Sequence, residues 1–533
     1  MRSPRLLPGI LALGFVGLLV GAAFAGLLLE AAGNWAGALG AFDSYLVRIV
    51  RFTVWQALLS TLLSVAPAIL VARALSRHPA FPGRALILGL FGVPLGLPAI
   101  VAAMGVLALL GRAGYFAPVL SWLSGGDWPG IYGLAGILVA HVFFNLPLAT
   151  RLLLEALDAV PRDHWRLSSQ LGMGAAAGFR FIEWPALRSA LPGAAALVFM
   201  LCVTSFTIVL ILGGGPRATT LEVAIYQALR FDFDPARAVT LTAVQVALTV
   251  LVVAAMGRLG ASPTGEAGLA VSSRRHARVA PLEAGLNLAL VAAAVLFVAG
   301  PMAATVAAGF EADLARLAGE TAVRRAAITS LTLAAVAALL SAALSLALVA
   351  TRRRLEAARG ARRRGFVEWA ADNGALFVLV VPPIVLGAGW FVLLRHTGAV
   401  FAAAPVMVVA VNAVMAMPFA IRAIRPAYDA ASIRHDRLAA QLGMSGWARL
   451  RLVDWPVLRR PLFTALAFAM ALSLGDLGVI ALFGSESVKT LPYLMLERMG
   501  AYRTADAAGL ALFLGILCLL LMAAAGRLGK EAR

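Results

Sequence analysis

Apolar residues run along this chain in stretches of about 20, the length that spans a bilayer as a helix, and short arginine-rich segments separate them. Reading apolar runs against charged breaks predicts spans near 9–29, 53–75, 85–111, 130–150, 189–212 and 239–257. A second set follows near 283–309, 326–350, 371–394, 399–421, 461–483 and 506–526. The chain therefore reads as an all-α integral membrane protein of about twelve transmembrane helices. Its first apolar run passes a signal-peptide-like Ala23-Phe24-Ala25 triplet and continues through Leu27, Leu28 and Leu29, so it is expected to remain as an uncleaved first helix.

The pattern repeats. Gln170 and Gln441 lie 271 positions apart, and the same offset carries Pro147, Arg151, Asp158, His164, Arg166, Gly172, Met173, Arg180, Trp184, Pro185 and Arg188 onto their counterparts from Pro418 to Arg459 without a gap. Each third span carries a proline break, at Pro98 and at Pro382-Pro383, and each set of spans ends on Gly-Arg-Leu-Gly. Six helices per copy put the second copy in the same orientation as the first, which makes this a parallel repeat. Residues 1–259 and 282–533 are the expected halves, and the polar, basic stretch 260–281 is the expected linker.

Composition changes the picture only slightly. Of the 533 residues 61% are hydrophobic and 13% charged, and the formal net charge is +19. No nucleic-acid recognition module accompanies that charge, so the basic residues read as determinants of orientation and contacts to anionic lipid. Arginine clusters at 73–84, 151–188, 274–278, 352–364 and 422–460 fall on one side when the spans alternate. That side and both termini are expected to be cytoplasmic. Cys202 and Cys518 sit inside apolar runs, away from any metal-ligand spacing, and read as packing residues.

The doubled segments, about 151–188 and 422–460, are the polar parts of an otherwise apolar chain. In each, Pro161 or Ser432 is expected to open a short helix ending at Leu171 or Leu442, and Gly172 or Gly443 to close it in the left-handed conformation. An interfacial helix lying on lipid is the simplest alternative. It does not account for the matched glycine, basic segment and Trp-Pro pair in both copies, which a docking surface used twice would explain.

Arg166-Leu-Ser to Gly172 and Arg437-Leu-Ala to Gly443, each followed by a proline at the next span, resemble the cytoplasmic EAA loop of binding-protein-dependent ABC importer permeases. The resemblance implies the fold of type I importer permeases (MetI-like), and a coupling helix in each copy docking on one of two copies of an ATPase subunit. It assigns that role to Arg166, Gly172, Trp184, Pro185, Arg437, Gly443, Trp455 and Pro456, with one departure: arginine replaces the motif's acidic residue in both copies. The segments from Leu212 and from Ser473 further resemble the fused permeases that import thiamine and thiamine pyrophosphate. This implies a bacterial inner-membrane location, a periplasmic thiamine-binding protein as partner, and no cofactor of its own, with ATP bound by the partner subunit.

Residue chemistry agrees with a transport subunit. Gly213-Gly-Gly-Pro-Arg-Ala-Thr-Thr lacks the Gly-Lys-Ser/Thr of a phosphate loop, and the two lysines, Lys489 and Lys530, do not complete one. No nucleophile–base set or metal cluster stands out. Asp476 lies in an apolar span, where a carboxylate usually faces a cavity or a partner, and its counterpart is Ser205. A structural or gating hydrogen bond and contact with a cationic substrate are both open for Asp476; Ser205, Asn145 and Asn412 are further path candidates. The rival readings are a fused permease for ferric iron or another small solute, and a gradient-driven secondary transporter, which would call for intramembrane ionisable relays.

Overall fold

The computed structural model describes residues 6–79, 81–258, 280–359, 365–378, 381–444 and 446–530. Most of the expected linker, 260–281, lies outside them. Among the described residues ten helices are long and apolar enough to cross a membrane, and a bent pair, Arg84–Gly96 with Ala99–Leu110, turned by 111°, reaches that length and apolarity only when its two parts are taken together. The bend falls at Pro98, whose ring cannot continue the preceding helix. The ninth expected span, 371–394, is not one helix either. Phe366–Val378 and Pro383–Arg395 are separate, the second opening after Pro382. The first helix, Leu7–Gly33, runs unbroken through Ala23 and Ala25.

Two compact units divide the chain, and they are not the two sequence halves. One comprises Met1–Phe42, Ala224–Val246 and Ala312–Arg533; the other comprises Asp43–Val223 and Ala247–Glu311. Each unit has taken in the first helix of the other half.

Glycine makes that exchange sterically feasible in both units. In the first, Gly389 on Pro383–Arg395 lies so close to Leu7–Gly33 that an added Cβ would sit 2.3 Å from the Ala23 carbonyl oxygen. The Trp390 indole N–H donates to Leu19 O (2.9 Å), and Arg395 pairs with Glu30 (2.7 Å). In the other unit, an added Cβ on Gly105 of Ala99–Leu110 would sit 2.3 Å from the Pro301 carbonyl oxygen of Pro281–Phe310. Gly105 and Gly389 each lie seven residues after the proline that breaks their span. Small residues at matched positions let the backbones approach, as membrane helix contacts require in the absence of a hydrophobic driving force between helices.

The fifth expected span of each half, 189–212 and 461–483, is also broken. Trp184–Val203 is followed by the short helix Thr207–Leu212, and Trp455–Gly475 by Gly478–Phe483. Each is then followed by a ten-residue helix, Leu221–Arg230 or Leu491–Gly500. A buried hydroxyl satisfies the first N–H of each: Leu221 donates to Thr53 Oγ1 (3.1 Å) and Leu491 to Ser330 Oγ (2.8 Å). Such orphan donors cost free energy when buried without a partner.

Candidate functional site: the doubled loop

In the first copy the loop is a separate nine-residue helix, Arg162–Gln170, starting after Pro161. Its end is a Schellman turn: Gly172 has φ +61°, its N–H reaches Ser169 O (3.2 Å), and the Met173 N–H reaches Ser168 O (3.0 Å). The second copy closes in the same way, with Gly443 at φ +64°, its N–H on Ala440 O (3.1 Å) and the Met444 N–H on Ala439 O (2.8 Å). Both glycines are where the sequence placed them. The helix start is not. No separate helix opens at Ser432, which is buried within one continuous 38-residue helix, Ala404–Gln441. Serine retains the backbone N–H that Pro161 lacks, so nothing forces a break there.

The exposed tip is alike in both copies. Leu167 and Leu171 are 55% and 67% exposed, and their counterparts Leu438 and Leu442 are 53% and 66% exposed. One turn apart on one helix face, each pair makes a small apolar stripe ending at the glycine. Arg166 and Arg437 are exposed beside it. Arg166 lies 3.7 Å from Asp163, both well solvated, a pair that contributes little. The leucines were missed in the sequence, although their recurrence at the 271-residue offset was a usable signal.

After each glycine the chain re-enters the membrane through a π-turn, Phe179–Glu183 and Leu450–Asp454, in which the Trp184 N–H reaches Phe179 O and the Trp455 N–H reaches Leu450 O. Trp184-Pro185 and Trp455-Pro456 then open the next helix, proline standing where its missing N–H leaves nothing unsatisfied. Wider turns of this kind recur at functional sites. Trp184 packs on Phe179 at 6.0 Å and Trp455 on Phe463 at 6.5 Å, and both stay partly exposed.

The roots of the loops differ. In the first copy Trp165 is buried on Val160 and Ile182, and the carboxylate of Glu183, 1% exposed, is held by Arg73 (2.7 Å) and Arg77 (3.1 Å). Arg77 also pairs with Glu283. In the second copy the position of Trp165 is Asp436, which pairs with Arg449 (2.6 Å), and Arg449 in turn lies 3.5 Å from Asp454, the counterpart of Glu183. One root feature is shared. Asp158 pairs with Arg84 (3.6 Å), and its counterpart Asp429 pairs with Arg352.

The path candidates do not join the loop. Asn145 donates to Cys202 Sγ (3.3 Å), and Asn412 to Ser473 Oγ (3.0 Å). Asp476 stands at the break between two helices, where its Oδ1 accepts from the N–H of Gly478 (3.1 Å), the first residue of Gly478–Phe483. Ser205 is partly buried at the corresponding break. In the glycine segment, Gly214 and Gly215 have φ +68° and +134°, so it is a turn. Lys489 pairs with Glu486 (2.8 Å) and Glu497 (3.0 Å).

Comparison with known proteins places this geometry. The family model of the binding-protein-dependent transport system inner membrane component matches residues 64–262 and 355–530, once in each copy. The thiamine transport system permease protein of Brucella abortus is 56% identical over 99% of this chain and 96% of its own length. That of Escherichia coli is 41% identical over 90% and 88%. A putative ferric transport system permease protein of Haemophilus influenzae matches far less, 29% identical over 35% of this chain and 29% of its own length.

Proposed function

This chain belongs to the binding-protein-dependent transport system inner membrane components, the multi-pass permease subunits of ABC importers, and from that premise we propose that it forms the membrane path for thiamine. Whole-length identity to thiamine permeases supports that substrate over ferric iron, whose permease matches a third of the chain. Partners follow from the family in general terms: an ATPase and an extracytoplasmic binding protein. The finer reading is that two ATPase copies dock on the two loops, on the arginine-rich, cytoplasmic side, with both termini on that side as well.

The observation that carries this reading is the doubled tip. Two leucines, a left-handed glycine, a π-turn and a Trp-Pro pair recur in register on otherwise different roots. A surface that must fit the same partner twice has reason to keep its tip and freedom to vary its foundation. Hydrolysis belongs to the partner, because this chain carries no phosphate loop. ATP-driven closure of the ATPase pair would act on each tip, and the helices rooted at Glu183 and Asp429 would carry that movement into the membrane.

The test is reconstitution. Purified chain alone is expected to show no ATP hydrolysis, and to gain it with the ATPase subunit. In proteoliposomes, uptake of labelled thiamine should require ATP, the ATPase and the binding protein together, and excess unlabelled thiamine should compete whereas ferric ion should not. Hydrolysis by the chain alone that survives repurification, or uptake driven by an ion gradient without ATP, would overturn the reading.

A further inference from the structure

Among the described residues two that are not glycine have a left-handed backbone, and both are large, exposed aromatics: Phe233 at φ +51° and Tyr502 at φ +60°. They are 81% and 91% exposed. They also occupy corresponding places, each following one of the ten-residue helices, Leu221–Arg230 and Leu491–Gly500, and preceding the last long helix of its half. Left-handed backbone is uncommon for any side chain with a Cβ and anomalous for a bulky one. Here it occurs at the same point in the element order of both repeats, two residues before the last long helix of each half.

Tyr502 sits where a Schellman turn ordinarily takes glycine. Its N–H reaches Met499 O (3.1 Å) and the Arg503 N–H reaches Arg498 O (2.8 Å). Glycine would make the same turn without strain, so the ring is not there to form the turn. The surroundings hold it. Arg498 pairs with Asp506 (3.2 Å) and Glu320 (2.5 Å), Arg503 with Asp506 (2.5 Å) and Glu320 (3.8 Å), and Arg316 with both acids.

The Phe233 turn is held as firmly by other means. The Asp234 N–H donates to Ala228 O (2.8 Å), and the Asp234 carboxylate accepts from the Arg237 N–H (3.0 Å). One turn earlier, Arg230 donates to Gly484 O (3.0 Å) and lies over the Phe401 ring at 5.4 Å, while Tyr226 and Phe231 pack edge to face. Strain that the surrounding structure over-determines, with the strained side chain itself left in solvent, is the pattern of a group kept for a partner.

We propose that Phe233 and Tyr502 are the contact points of this permease for its extracytoplasmic binding protein. Each lies one membrane crossing along the chain from its copy of the doubled loop, so each is on the side away from the ATPase. On that side the family's dependence on a binding protein requires a surface that the loaded protein can find. A rigid, exposed aromatic beside a charge, as Tyr502 is beside Arg503, is the residue pattern that concentrates binding energy at protein interfaces. The two-repeat arrangement gives the partner one such contact per half. This inference rests on the importer reading above.

The experiment uses the full chain assembled with its ATPase in nanodiscs, and its cognate binding protein loaded with thiamine. Phe233→Gly with Tyr502→Gly should raise the melting temperature by removing strain, and weaken binding of the loaded protein by about tenfold or more. Phe233→Trp with Tyr502→Trp should keep the affinity. Unchanged affinity and uptake in the glycine pair, with wild type dependent on the binding protein, would overturn the proposal alone. Quenching of the tryptophan pair by brominated lipid would overturn it in favour of membrane anchoring. A wild-type assembly that needs no binding protein would overturn the importer reading, and this inference with it.

Discussion

The two copies of the doubled loop agree at the tip and differ at the root. The first is a nine-residue helix broken from its span by Pro161, seated on buried Trp165 and tied by Glu183 to Arg73 and Arg77. The second is the end of a 38-residue helix, and the place of the buried tryptophan is taken by Asp436 in a solvated pair with Arg449. Yet Gly172 and Gly443 have φ within a few degrees of each other, and the leucine stripes are exposed alike. Shared ancestry alone would let tip and root drift together. That the root has drifted further than the tip, keeping the Asp158 and Asp429 pairs but not the buried tryptophan, points to a constraint at the tip.

The strongest way to break that comparison is to spoil both tips. A Cβ added at Gly172 or Gly443 meets nothing within 4 Å, so the cost of Gly→Val is chiefly backbone strain, about 1–2 kcal/mol at each turn. This is too little to unfold a membrane bundle but enough to misdirect a docking surface. The double variant Gly172→Val/Gly443→Val should insert and express normally and lose ATPase attachment and uptake, as read by co-purification and vesicle transport. Gly172→Val alone should do more harm than Gly443→Val, because a nine-residue helix lacks the preceding turns that continue the second copy's helix into its span. Normal attachment in the double variant would mean the tips are not docking surfaces.

The roots are separated by charge burial. Glu183→Ala strips two arginines of a buried carboxylate, and breaking such a cluster costs about 3–5 kcal/mol. Asp454→Ala removes a partner from Arg449 at a partly solvated site and should cost no more than about 1 kcal/mol. Thermal unfolding in detergent should therefore drop sharply for the first and hardly move for the second. Equal shifts would show that the second root is buried by something the isolated chain does not contain.

Much of this was legible in the sequence, and the misses share a cause. The spans, the repeat and both left-handed glycines follow from hydropathy, self-alignment and the chemistry of glycine, all of which act locally. The fused helix at Ser432 was missed because serine neither starts nor stops a helix decisively once its neighbours are packed. The exchange of first helices between units was missed because it is a choice among equally greasy partners, and only Gly105 and Gly389 in register hint at it. Leu167 and Leu438 read as ordinary apolar residues in the sequence, and only the fold leaves each more than half exposed among the described residues.

The break in helix continuity can be moved between copies. Ser432→Pro would place a ring inside the 38-residue helix and remove one hydrogen bond, costing about 3 kcal/mol unless the helix breaks there as the first copy does. Pro161 is exposed, and Pro161→Ser should change the melting temperature little. If Ser432→Pro retains ATPase attachment while losing stability, tip and root are separable. If attachment fails in proportion to stability, they are not.

The smallest effect is expected at Asp476. Its Oδ1 accepts the Gly478 N–H at a helix start, a role asparagine fills about as well as aspartate and alanine does not. Asp476→Asn should accordingly leave thiamine uptake nearly unchanged, and Asp476→Ala should lower the melting temperature by an amount corresponding to about 1 kcal/mol. The first copy supplies the control, since Ser205 stands at the same break without a carboxylate. Ser205→Ala should have an effect no larger than that of Asp476→Ala. A severe loss of uptake in Asp476→Asn, with assembly and stability intact, would mean the charge rather than the hydrogen bond matters. Asp476 would then be a contact for the cationic thiazolium, and the two breaks would differ in function and not only in sequence.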